Sequence, residues 1–299
     1  MMTIGTPLMW ALFASFVLAA LLVDFFAMSK QGAHRVSINE AAVWSLVWVA
    51  LSFVFVGWLW WYLGGLDGNA LADTKALEFV TGYLVEKALA VDNIFVFLMV
   101  FTYFAVPPEF QKRVLMIGIL VALALRAVMI LIGAWLIAQF HWVLYVFGAF
   151  LVFTGVKMWW AAGQEPDLES NPALAWMRRR MKIAPDYDGE RFFTVVGGVK
   201  MATPLFVVIV LIGIVDVVFA VDSIPAIFAI TTDPFIVLTS NVFAILGLRA
   251  MYFLLAGCYA RFHLLSYGLA IVLVAIGAKM LLVDVYKIGS LEFRVGYRA

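Results

Sequence analysis

The sequence predicts an all-α fold, a polytopic membrane helical bundle of about eight spans, and three observations carry that expectation. Of its 299 residues, 66% are hydrophobic and only 13% are charged, whereas soluble domains hold about half apolar and about a quarter charged residues. The apolar residues come in unbroken runs of roughly the 20 residues that a helix needs to cross a bilayer. Three short patterns also recur in the same order in the two halves of the chain, the mark of an internal duplication.

Runs bounded by charge, proline and glycine place the spans at about 8 to 28, 41 to 63, 77 to 104, 113 to 139, 141 to 161, 203 to 230, 235 to 257 and 264 to 284. The first meets no Lys or Arg before Lys30 and is longer than a signal-peptide core, so it reads as a true span. Basic residues then set the orientation. The loops after spans one, three, five and seven hold Lys30, Arg35, Lys112, Arg113, Arg178, Arg179, Arg180, Lys182, Arg191, Lys200 and Arg261, and the opposite loops hold only Lys75. The positive-inside rule makes the basic loops cytoplasmic and places the N-terminus outside.

The sizeable loop, 162 to 202, is cytoplasmic on this reading. In it Leu174, Met177 and Met181 recur at helical spacing beside Arg178 to Arg180. That suits a helix lying on an anionic leaflet, although a basic loop that only fixes topology explains the same residues. Residues 1–288 form a single transmembrane domain, with repeat one at about 77–161, repeat two at about 203–284 and an atypical tail at 289–299. Lys287, Arg294 and Arg298 would face outward after eight spans, against the charge rule, so an altered end or a ninth span is expected there.

Composition excludes several function classes. Cys258 is the only cysteine, which rules out an intrachain disulfide, a C-x-x-C redox pair and a cysteine-built metal site. The net charge of +1 says nothing about partners, since on a membrane protein the distribution of charge matters more than its sum, and nucleic-acid binding has no footprint in the sequence. His34, His141 and His263 fall at span ends, where histidine is more often interfacial than a ligand, and no nucleotide fingerprint is present. The chain is therefore expected not to be an enzyme and to carry no bound cofactor. Trp58, Trp60, Trp61, Trp159 and Trp160 read as an interfacial belt.

The repeat carries the chemistry. Glu86 to Asn93 in span three matches Asp216 to Ser223 in span six: an acid, a six-residue step, then Ala-Val-Asp and a small polar residue. Leu125-Arg126-Ala127 matches Leu248-Arg249-Ala250, and Gly155-Val156-Lys157-Met158 matches Gly277-Ala278-Lys279-Met280. The copies start three spans apart, an odd number, so the second threads the bilayer in the opposite sense, as in many secondary transporters with an ion site near the midplane.

Each mid-span carboxylate costs about 2.5 to 3.5 kcal/mol on insertion scales, so Glu86, Asp92, Asp216 and Asp222 together cost about 10 kcal/mol that something must offset. Internal pairing with Arg126, Lys157, Arg249, Lys279 and Lys87 is the bland offset. A bound cation is the other, with Glu86, Asp92, Asn93, Asp216, Asp222 and Ser223 as candidate metal ligands. Six residues on an ideal helix turn through 600°, which leaves the two acids of one motif about 120° apart. Pro225, three residues after Asp222, removes a helical donor and clashes with the Val221 carbonyl, so span six is expected to kink or unwind over 221 to 225. The all-oxygen donor set favours magnesium, calcium or manganese over zinc or copper. Thirteen methionines read as packing residues.

At the two acidic motifs, and at Asn39 to Trp48 and Asp233 to Asn241, the chain resembles the TerC family over about Thr6 to Tyr286. The resemblance implies an integral inner-membrane protein linked to manganese export, to alkaline response and, by name, to tellurium resistance, with its intramembrane acids at Glu86, Asp92, Asp216 and Asp222. The leading expectation is a manganese transporter that works in exchange for protons, with Glu86 and Asp216 as outer ligands or proton carriers. The alternatives are a membrane-bound redox modulator, or a non-transporting partner that delivers metal to other membrane proteins. Its expected partners are lipid and a divalent cation, with a homo-oligomer or a membrane-protein partner compatible with either role.

Overall fold

The computed structural model describes residues 3–31, 37–66, 68–161, 172–256 and 265–282. Among these residues, ten helices and one hairpin run in the order α1 (Pro7–Gln31), α2 (Ile38–Leu66), α3 (Asn69–Tyr103), α4 (Pro108–Gln139), α5 (Val143–Ala161), α6 (Pro172–Arg180), β1 (Phe193–Val196), β2 (Val199–Ala202), α7 (Pro204–Phe228), α8 (Pro234–Leu246), α9 (Leu248–Ala256) and α10 (Leu265–Leu282). Each predicted apolar run falls on a helix or, for the seventh, on a pair of helices. The expected tail at 289–299, together with His34, His263 and Cys258, lies outside the described residues.

The chain is an all-α membrane protein. Among the described residues, α2, α4, α5 and α7 are each long and apolar enough to cross a membrane, and α8 with α9 passes the same test when the two are taken together across a 41° bend. Their outer faces carry large apolar side chains with nothing over them, such as Leu46 (70% exposed) on α2 and Phe153 (66% exposed) on α5. Such a ring is costly in water and favourable against acyl chains.

The broken element is span seven, and no proline stands at the break. Gly247 ends α8 in an αR conformation, with its N–H turned to the Ile245 carbonyl. A Cβ there would lie 2.6 Å from Lys87 Nζ and 3.2 Å from Trp48 Cβ, so a larger residue would have to push the lysine aside and shift Trp48. Lys87 donates to the Ala244 carbonyl at 3.2 Å, in the last turn of α8, where a cation also meets the negative end of the helix dipole.

Span six differs from expectation. α7 is not unwound over 221 to 225 but continues through Pro225 to Phe228. The proline sits one turn from the helix end, so only the Val221 carbonyl loses its intrahelical donor, and flanking packing by the buried Ile224, Ala226 and Ile227 holds the turn closed.

α3 and α7 pack against each other at the centre. α3 also packs on α8 and α9, while α7 packs on α4, and α5 packs along α10. That last seam is glycine-lined: a Cβ on Gly277 would lie 2.6 Å from the Gly148 carbonyl, and one on Gly155 would lie 2.8 Å from the Ala270 carbonyl. Small residues of this kind let two membrane helices touch backbone to backbone.

The loop expected to be a leaflet-bound helix or a plain basic loop is built differently. α6 does form, but its apolar face is taken by α7: Leu174 and Met177 are buried against Val207 and Leu211. β1 and β2 pair antiparallel about Gly197 and Gly198, whose φ values of +58 and +79 suit a two-residue hairpin turn. Tyr187 donates to the Phe104 carbonyl at the end of α3 (2.7 Å), so the loop is tied to the bundle.

Candidate metal centre

The two acidic motifs lie on the two central helices, and the 120° between the acids of each motif divides them into two clusters. Glu86 on α3 and Asp216 on α7 are almost fully buried (0% and 2% exposed) and both turn toward Arg126 of α4, itself 2% exposed. Arg126 holds Asp216 with two parallel bonds, Nη2 to Oδ1 at 2.9 Å and Nε to Oδ2 at 3.3 Å, the fork geometry that makes guanidinium the best buried partner of a carboxylate. Its Nη1 pairs with Glu86 Oε1. The second Glu86 oxygen is buried with no hydrogen-bond partner.

Asp92 and Asp222, one from each motif, instead line a hollow of about 10 Å³ with Asn93, Ser223, Leu89, Phe219, Met158 and Leu273. It lies between α3, α5, α7 and α10, and holds one water-sized body. Both carboxylates are half-buried. Asp222 is hydrogen-bonded by Thr154 and attracted by Lys157 of α5, whose side chain is exposed. The expectation of one site gathering all four acids is therefore not met by Glu86 and Asp216, which are engaged by Arg126. Among the described residues no three acidic, histidine or cysteine side chains converge as a metal-binding group, so the donor set at the hollow is two carboxylates, an amide and a hydroxyl.

Asn93 and Ser223 join the two clusters. Ser223 Oγ accepts from Arg126 Nη1 at 3.4 Å. With the Asn93 amide turned so that its oxygen faces the guanidinium, it accepts from Arg126 Nη2 at 3.2 Å and donates to the Leu89 carbonyl at 3.1 Å. Of the other supporting charges, Lys279 is exposed on α10 and Arg249 is half-buried on α9. Two residues escaped the sequence reading, Thr154, which bonds Asp222, and Met158 in the wall. Thr154 has no polar mate in the second repeat, where Ile276 stands at the matching place, and Met158, which does recur as Met280, reads as packing when only the pattern is known.

Comparison with known proteins agrees with the motifs. The integral membrane protein TerC family matches residues 71–296. The chain belongs to the TerC family. The match opens inside α3, so α1 and α2 precede it, and both acidic motifs of this TerC protein fall within it. "Putative membrane-bound redox modulator Alx" of Escherichia coli K12 is 56% identical over 288 residues, covering 96% of this chain and 90% of that protein. The protein of the same description from Photorhabdus laumondii is 51% identical, with coverage of 96% and 90%. An uncharacterised membrane protein of Myxococcus xanthus is 48% identical over 285 residues, 95% of this TerC chain and 86% of its own. No solved structure matches.

Proposed function

We propose that the chain is a divalent metal ion transporter of the bacterial inner membrane that exports manganese, with protons as the counter-ion. Asp92 and Asp222 are the central ligands, and Asn93 and Ser223 supply neutral oxygens. The observation that carries this reading is the hollow itself: one carboxylate from each repeat reaches it, beside an amide and a hydroxyl. Carboxylates at membrane depth that face a cavity mark an ion pathway. Met158 adds a polarisable thioether to the oxygens, which suits a transition ion such as manganese better than magnesium or calcium. Manganese and the outward direction rest on the family resemblance.

The helix contacts support an inverted repeat of eight spans. Exchanging α3, α4 and α5 with α7, the α8–α9 pair and α10 turns the α3–α8 contact into the α7–α4 contact and leaves the α3–α7 and α5–α10 contacts in place, and all four are observed. A two-fold axis in the membrane plane would produce this interchange and would pass beside the hollow, where transporters of this layout carry their ions.

Cellular manganese after overexpression of wild type, Asp92→Asn and Asp222→Asn tests the proposal. Wild type should lower cell manganese and both variants should not; equal manganese in all three would sink it. Redox modulation, the role in the relatives' printed name, would require an electron-carrying group, and an absorbance spectrum of purified protein showing haem or flavin would favour it.

A further inference from the structure

We propose that Arg126 is a built-in competitor of the transported cation, a positioning and specificity-determining residue that shares Asn93 and Ser223 with the metal and is driven off them when the metal binds. The inference rests on the transport reading above.

Asn93 and Ser223 each face two ways: both line the hollow, and both accept from the guanidinium, at 3.2 Å and 3.4 Å. A cation bound to either oxygen at about 2.2 Å would stand about 5 Å from a guanidinium nitrogen. Two positive groups at that separation repel strongly in a medium of low dielectric. Either the ion stays out or the guanidinium withdraws.

The structure gives Arg126 somewhere to go. Nη1 now divides itself between Glu86 Oε1 and Ser223 Oγ, while Glu86 Oε2 is buried and has no partner. A small rocking of the guanidinium would exchange Ser223 for that second Glu86 oxygen, keep both forks to Asp216, and release Asn93 and Ser223 to the ion. The layer of Arg126, Glu86 and Asp216 holds one positive charge against two negative, so it tolerates the arginine at either end of this movement. Binding and rocking are then linked, and linkage of this kind is reciprocal, typically 5- to 150-fold in affinity. A competitor of this sort keeps the site weak enough to empty, which conduction through any site requires.

The test is manganese flux and equilibrium manganese binding of the full chain reconstituted in liposomes, for wild type, Arg126→Lys and the charge-balanced Arg126→Gln/Asp216→Asn. Lysine keeps the charge but is a point donor without the fork, and cannot bridge both acids while touching Asn93 and Ser223. The double variant removes one positive and one negative charge together. Each should bind manganese about tenfold more tightly and lower the apparent KM, while turnover falls. A residue of purely structural role would raise KM and lower turnover together. Variants that insert and melt like wild type but whose KM is unchanged or higher overturn the inference. Wild type with isotope-labelled arginine supplies an arm that needs no variant: a guanidinium infrared band should shift on adding manganese, and an unmoved band counts against the competitor. If wild type neither binds nor carries manganese, it is the transport reading that falls. If wild type carries it and the arginine signatures are missing, only this inference falls.

Discussion

Two clusters built from the same four acids behave as opposites. Each motif contributes one carboxylate to the Arg126 lock and one to the hollow. In the lock the acids are almost wholly buried and held by a bidentate arginine. At the hollow they are half-buried, and the nearby Lys157 extends from an exposed position. Burial with a fixed counter-charge makes a structural unit, whereas carboxylates facing a cavity make a place for a mobile ion. The difference teaches that the two acids within one motif take opposite roles while each keeps its role in both copies: an arginine on α4 takes the first acid of each motif and leaves the second to the hollow.

The comparison breaks first at Arg126. Arg126→Met leaves Glu86 and Asp216 facing each other in a buried layer with no cation, a loss of about 3 to 5 kcal/mol. Thermal melting in detergent should show it as a large fall in midpoint or as failure to recover folded protein. Asp92→Asn with Asp222→Asn is the converse: it should abolish manganese flux yet melt within about 1 kcal/mol of wild type. If both sets of changes destabilise the protein equally, the hollow is as structural as the lock and the division fails.

Much of this was legible in the chain. Length and continuity of the apolar runs placed every helix that bears a motif, because a bilayer fixes span length so narrowly. The 120° between Glu86 and Asp92 already implied that one straight helix would not aim both at one point, and the unbroken α3 divides them as that angle requires. What could not be read was which residue would meet each acid. Arg126 and Arg249 are equivalent in the pattern, and only packing between α4 and α7 decides that Arg126 forms the lock. The break at Gly247 was likewise hidden, since no proline marks it and its neighbours, Lys87 and Trp48, come from other helices. At Pro225 local chemistry argued for unwinding, and tertiary packing near the end of α7 outweighed it.

A smaller effect sharpens the comparison by moving one wall of the hollow and leaving the lock alone. Gly277 lies on the α5–α10 seam, and those helices carry Met158 and Leu273 into the wall. Gly277→Val places side-chain atoms against the Gly148 backbone and should force α10 outward at a cost of about 1 to 3 kcal/mol. Manganese flux should fall out of proportion to that loss, because Met158 and Leu273 separate while Arg126, Glu86 and Asp216 are on other helices. Flux that merely tracks the amount of folded protein would mean that the seam does not shape the site.

The smallest effect compares both clusters with a polar contact outside the membrane. Tyr187 donates to the Phe104 carbonyl at 2.7 Å, and burial pushes its phenol up to about 12. Water competes for this bond, so Tyr187→Phe should cost only about 1 kcal/mol, several times less than breaking the lock. The folded chain holds the phenol proton more tightly than the unfolded chain, whose tyrosine titrates near 10. Its contribution is therefore fully present below pH about 10 and is lost as pH rises from about 10 to about 12. Melting wild type and Tyr187→Phe side by side at pH 9 and at the top of that window should show the gap between them closing. A gap that persists unchanged would mean that the hydroxyl's proton has no part in holding the loop to α3.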